Sequence, residues 1–305
     1  MSLDRGTEGV QAQAPIIAAL RPKRTFSQGL MHFIVSKPLG AFGGAVAIGL
    51  IIVAVFAPLI ANHDPYRTNL DAVNSSPTSD NWLGGDQLGR DVFSRIVYGA
   101  RISLYVGIVS SFVGSTLGLI IGVASVHFGG RFDILVQRVI DAMMAFPILI
   151  LAIAIMSVLG ASVNNVIIAL SVVYIPSTAR VIRSQAMAIN EMDYILAAQA
   201  VGAGNWRIML RHMIPNTFAL YIVVVTFHLG GAIIAEAALS FLGVGSPIDT
   251  PSWGGMLSTA SRQYVNLAPW LAVFPGLAIA IVVFSWNVLG DALRDVMDPR
   301  MRGTN

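Results

Sequence analysis

The 305-residue chain contains no cysteine, which excludes disulfides, zinc-cysteine clusters and thiol catalysis. Charge is also scarce. Only 11% of residues are Asp, Glu, Lys or Arg and 55% are hydrophobic, whereas about a quarter of a soluble domain is charged. A bilayer is therefore the expected solvent. A metal site would have to draw on five scattered histidines, and none is expected. The net charge of +3 does not point to nucleic acid, because the 19 basic residues are strung between apolar runs and form no continuous basic face. A cleavable signal pattern is missing as well. Arg21, Lys23 and Arg24 come late and a long apolar run follows them, so that run is expected to stay as an anchor.

What the chain does have is long uncharged stretches, and about 20 apolar residues suffice to cross a bilayer as a helix. Residues 38–62 and 102–126 are two such runs, the second carrying Thr116, Gly118, Gly122 and Ala124 as small packing residues. Between Asp141 and Arg180 the run is too long for one helix, and turn-forming residues from Gly160 to Asn165 divide it into spans 142–159 and 163–179. A fifth span starts near Pro215 and runs towards Gly243, and a sixth covers 268–289. The expected fold is an all-α polytopic membrane protein with six transmembrane helices. Its parts are a polar, mobile tail (1–37), a membrane domain (38–290) and a short second tail (291–305), with outer loops 63–101 and 245–267 and an inner loop 184–215. With both termini inside, fourteen Lys and Arg fall on the inner segments and five on the outer ones, Arg67, Arg90, Arg95, Arg101 and Arg262. Four of those five crowd the first outer loop and oppose the rule.

The inner loop, EMDYILAAQAVGAGNWRIMLRHMIPN from Glu191 to Asn216, reads as two short helices around a bend. Gly202 takes the left-handed conformation that closes the first, and Asn205 caps a second running from Trp206 to Ile214 before Pro215. Arg207 and Arg211 then share one face. Such an amphipathic elbow suits a lever pushed by a partner. The stretch from Gly84 to Asp91 is glycine-rich, but Arg90 and Asp91 stand where a phosphate loop needs Lys and then Ser or Thr, so ATP hydrolysis is not expected here. Asp141 and Glu236 are the carboxylates nearest the membrane interior. Asp141 lies three residues after Arg138 and is expected to pair with it; Glu236 either binds a peptide amine or pairs with a partner subunit. His228 reads as a satisfied interior histidine, Trp206, Trp253, Trp270 and Trp286 as interfacial anchors, and Met143, Met144 and Met156 as packing.

The elbow resembles the ATPase-docking loop of ABC importer permeases, whose pattern is Glu-Ala-Ala, three residues, Gly, nine residues, an apolar residue, one more, then Leu-Pro. Here Leu196, Ala197, Ala198, Gly202, His212, Ile214 and Pro215 occupy those positions. Leu196 replaces Glu and His212 the apolar residue, so the salt bridge made by that Glu is not carried over. The stretches NWLGGDQLGRDVFSRIVYGARISL (81–104), PSWGGM (251–256), EAALSFLG (236–243) and NVLGDALRDVMDPR (287–300) are similar to the dipeptide, oligopeptide and nickel permeases. The resemblance covers residues 38–300 and implies a non-catalytic, C-type permease subunit in the bacterial inner membrane. It also implies a second related permease, two ATPase subunits that hold the ATP and magnesium, and a substrate-binding protein. Cofactors of the chain's own are not implied. Trp82, Asp86, Arg90, Asp91 and Trp253 are the implied outer surface or gate, with Ser76 and Ser246 reachable from outside. Cargo on this reading is di- or oligopeptides, with nickel, glutathione, opines or oligosaccharides as alternatives. Rival classes are a proton-coupled secondary transporter using Asp141 and Glu236, and a membrane hydrolase, for which no HExxH or GxSxG motif is present.

Overall fold

The computed structural model describes residues 26–247, 249–263 and 266–297, with side chains described except at 26, 27, 29, 30, 32 and 259–263. Arg5, Arg21, Lys23, Arg24, Arg300 and Arg302, counted above for orientation, lie outside the described residues, as does the side chain of Arg262. The chain divides into two units, one ending at Pro38 and one beginning at Leu39. In the first, helix α1 (Phe26–Ser36) occupies the last part of the expected polar tail. Its sequence has no proline, and its apolar residues recur at helical spacing.

From Pro38 onward the elements are α2 (Pro38–Val55), α3 (Ala57–Ile60), α4 (Val92–Phe128), α5 (Gly130–Met144), α6 (Ile148–Leu159) and α7 (Val163–Asn190). There follow α8 (Asp193–Ala200), α9 (Asn205–Ile208), a π turn (Met209–Met213), α10 (Ile214–Phe241), α11 (Trp253–Gln263) and α12 (Trp270–Met297). Among the described residues there is no strand, only an isolated bridge between Gly85 and Asp91. Five helices are long and apolar enough to cross a bilayer, and the α5–α6 pair, bent by 92°, supplies a sixth pass.

Packing fixes the direction of each pass. A Cβ on Gly114, Gly118 or Gly122 would stand 2.5 Å from the Ser171 carbonyl oxygen, 2.6 Å from Thr178 Cβ or 2.7 Å from the Ala179 carbonyl oxygen. Contacts that advance together mean that α4 and α7 run parallel, their backbones drawn together where only glycine fits. Parallel neighbours need a return pass, which the α5–α6 pair provides. The turn after it matches the sequence reading, with Gly160 at φ 84°, and Asn165 Nδ2 donates to the Leu159 and Gly160 carbonyls at 2.8 and 3.1 Å. Helix α10 runs antiparallel to α4, since Ser103 meets Glu236 and Ser115 meets His228. Helix α12 runs back along α10, with Gly290 against Thr226 and Gly230 against Asn287. Residues 39 and 297 therefore lie at one end of the bundle, with α8 and α9. We call this the elbow end, and the opposite end, holding residues 63–91, 245–247 and 249–256, the loop end.

The spans overrun their apolar cores. Helix α4 has 37 residues, about 55 Å of helix against about 30 Å of hydrocarbon. It begins ten residues before the expected span because Asp91 caps it, its carboxylate accepting from the Ser94 amide at 2.8 Å. There are three buried apolar clusters, two side by side in the loop-end half and one at the elbow end. One gathers Val92, Trp253 and Leu271, a second Met156, Leu170 and Leu239, and a third Ile182, Ile195, Ile208 and Met213 at the elbow.

Candidate functional site

The elbow starts with α8, closed by Gly202 at φ 78° as the sequence requires. The space where its Cβ would stand is empty to 4 Å, so backbone conformation alone holds glycine there. Two expectations need correction. Asn205 is the first helical residue and not the cap; that place belongs to Gly204, which is extended and makes no side-chain cap bond. The second helix also does not stop before Pro215. From Asn205 to Phe241 the chain is one 37-residue helical run. Pro215 has no N–H for the Arg211 carbonyl, and the π turn, closed by the Ile214 amide on the Met209 carbonyl, widens the helix around it. Asn216 Nδ2 donates to the His212 carbonyl at 2.6 Å, and Gln185 Nε2 ties α7 to the Asn216 carbonyl at 3.3 Å.

One elbow face is anchored and the other is bare. Ile195, Ile208, Met209 and Met213 are buried against Val123, Ile182 and Ala186. Val201 is 84% exposed and Trp206 68% exposed, with Tyr194, Leu196 and Leu210 also open. Leu196, Ala197, Arg207, Arg211 and Pro215 are exposed and Ala198 is half-buried. Trp206 is thus exposed at the elbow, at the start of the run into α10.

Beside the elbow, α5 is bolted to α7 by ion pairs. Arg183 holds Asp133 through two bonds, Nε at 2.8 Å and a terminal nitrogen at 2.5 Å, and the Ser125 hydroxyl also donates to Asp133. Asp141 accepts from Arg180 and lies 3.9 Å from Arg138, the expected pair. The Asp133–Arg183 pair escaped sequence reasoning. Its members are 50 residues apart, and the one signal was a charge-bearing face on α5, where Asp133, Gln137 and Asp141 recur every four residues.

At the loop end, Asp86, Arg90, Asp91 and Arg95 are all buried. Arg90 Nε donates to Asp86 at 2.7 Å, Arg95 Nε lies 3.6 Å from the same carboxylate, and Arg95 also donates to the Pro65 carbonyl at 3.1 Å. Trp253 is buried, packs on Gly99 and donates Nε1–H to the Ile96 carbonyl at 3.0 Å. It is a core strut and not an interfacial anchor. Of the five residues assigned to the outer surface, only Trp82 is exposed, tilted against Phe93 with centroids 5.0 Å apart. Ser76 is exposed, but Ser246 is buried, its amide donating to Ser240 Oγ at 3.1 Å. The arginines that oppose the charge rule are largely accounted for. Arg90 and Arg95 share Asp86, and Arg101 donates to the Ala54 and Val55 carbonyls at 2.5 and 3.1 Å, closing the end of α2.

Glu236 is fully buried, accepting from Ser240 Oγ at 2.8 Å and Ser103 Oγ at 3.3 Å. Its own chain encloses it in this packing, out of reach of a peptide amine or a partner subunit. His228 is satisfied as expected: Ser115 Oγ lies 2.9 Å from Nδ1, Ser177 Oγ 3.2 Å from Nε2, and Tyr174 stacks on the ring at 4.3 Å. Among the described residues no group of three metal-ligating side chains is assembled.

Comparison with known proteins converges with this geometry. Residues 114–303 match the family described as binding-protein-dependent transport system inner membrane component, and residues 26–77 match the N-terminal TM domain of oligopeptide transport permease C. The chain is 42% identical over 268 residues to a dipeptide transport system permease protein of Alkalihalophilus pseudofirmus, covering 87% of this chain and 86% of that one. It is also 42% identical over 255 residues to a glutathione transport system permease protein of Escherichia coli, covering 83% and 84%. With its six helical passes and its elbow, the chain belongs to the binding-protein-dependent transport system inner membrane components, the permease subunits of ABC importers.

Proposed function

We propose that the chain carries di- or oligopeptides across the bacterial inner membrane as one half of a two-permease pathway. Two ATPase subunits dock on the elbows of the two permeases, this chain's among them, and a substrate-binding protein delivers cargo at the loop end. ATP and magnesium are held by the ATPases, and this chain catalyses nothing itself. The carrying observation is an exposed apolar tip, Val201 and Trp206, on an arm continuous with a spanning helix. Closure of the ATPases displaces residues 196–215, and the unbroken run into α10 passes that displacement into the membrane, shifting the balance between inward-open and outward-open packings. Spans two to five line the pathway.

The elbow end and both termini face the cytoplasm on this reading. The charge asymmetry supports that orientation, and the pairing of Arg90 and Arg95 with Asp86 removes its main objection. Peptide cargo is favoured over nickel, opines or oligosaccharides by relatives named for dipeptide and glutathione transport. A proton-coupled transporter is disfavoured because Glu236 is sealed and Asp141 is held by Arg180. The test is Gly202→Val in the importer reconstituted with its partner subunits. The left-handed φ makes valine cost about 1 kcal/mol or more locally, so membrane insertion survives while peptide-stimulated ATP hydrolysis and uptake fall together. Normal coupled hydrolysis would contradict the reading. In the cysteine-free chain, a single cysteine at position 76 reacts from outside intact cells; reaction only after permeabilisation would overturn the orientation.

A further inference from the structure

Between α2 and α4, towards the loop end of the bundle, lies an open groove of about 360 Å³ lined by Ile51, Ala54, Val55, Arg101, Leu104, Tyr105 and Ile108. All but Arg101 and the Tyr105 hydroxyl offer it apolar surface. Arg101 stands at its rim, fixed by its two bonds to the Ala54 and Val55 carbonyls and by the Tyr98 ring, 5.7 Å from its guanidinium carbon. A guanidinium has five N–H donors, so donors are left over. Among the described residues no carboxylate lies within 4.0 Å of Arg101, in contrast to Arg90 and Arg95, which share Asp86. The rim is level with the last turn of α2 and flanked by Tyr98 and Tyr105, the residue type that marks the boundary between hydrocarbon and headgroups. From Arg101 to Ile108 the groove reaches about 10 Å along α4 into the hydrocarbon.

We propose that this groove is a site for one anionic phospholipid, its phosphate on Arg101 and an acyl chain laid between Ile51 and Ile108. The charge calls for an anion, and the apolar floor directly below it calls for a hydrocarbon chain; a phospholipid supplies both. The bound lipid presses α2 against α4 at the point where Arg101 already closes the end of α2.

Native mass spectrometry of the full chain, exchanged into phosphatidylglycerol or phosphatidylcholine, tests the site. Phosphatidylglycerol is retained preferentially by the wild type. Arg101→Gln lowers its retention about tenfold, the size expected for one charge-assisted phosphate contact. Ile108→Trp fills the groove with Arg101 intact and lowers retention comparably, so the site is testable even if loss of Arg101 loosens α2. In the assembled importer, a benzophenone amino acid at Tyr105 crosslinks to lipid. Equal retention of both lipids, retention unchanged in Ile108→Trp, or a crosslink from position 105 to another protein chain would each overturn the site.

Discussion

The two ends of the bundle solve the same problem in opposite ways. At the loop end, charged and aromatic residues are turned inward: Asp86 holds Arg90 and Arg95, Asp91 caps α4, and Trp253 is bonded into the core. At the elbow end, apolar residues are turned outward, with Val201 and Trp206 bare on a short arm. A buried ion network is costly to break, and the Asp86 pairs with Arg90 and Arg95 close within the chain. An exposed apolar tip is incomplete and marks a contact. The contrast is one of buried charge, since the loop end also exposes Leu70 and Trp82; the bare elbow tip is the surface proposed above for docking.

Asp86→Ala should give the largest effect. It strands two buried guanidinium groups, and breaking such a network costs about 3–5 kcal/mol, read as a fall in the unfolding midpoint of the purified chain. An unchanged midpoint would mean that the loop end is not the self-contained half. Next comes Gly118→Leu, which forces apart α4 and α7, because a Cβ at position 118 would stand 2.6 Å from Thr178 Cβ. Overpacking of this kind costs about 1–3 kcal/mol and should lower the yield of folded protein; normal yield would argue against the close parallel packing. Glu236→Gln should give the smallest change. The amide keeps the shape and an acceptor for a serine hydroxyl, so stability stays within about 1 kcal/mol of wild type and uptake is preserved. Loss of uptake with stability intact would restore Glu236 to the pathway.

How far the sequence carried depends on what each feature needs. The spans were readable because each must supply an uninterrupted apolar run, and Gly202 because its turn demands a positive φ. Helix ends were not, since hydropathy marks the hydrocarbon and α4 continues well past it to Asp91. Asn205 was misread as a cap because composition alone does not show that Gly204 already takes the extended position. The break between α5 and α6 falls at Pro147, but its 92° angle, with α5 ion-paired to α7, has no local signal. Glu236 is buried near the loop end of α10, and its partners, Ser103 on α4 and Ser240 on α10, are as much as 133 residues away. Long-range polar contacts of this kind carry no local signal.

On the proposed reading the bare elbow tip serves the ATPases and does nothing for the fold. The most direct test is the double variant Val201→Ser, Trp206→Ala, co-expressed with the partner subunits and followed by two readings on one preparation. Removing exposed side chains should leave the unfolding midpoint where it was, within about 0.5 kcal/mol per site, while the ATPase that co-purifies falls about tenfold, as for loss of an interface anchor. A normal amount of co-purified ATPase, with the chain folded, would contradict the account.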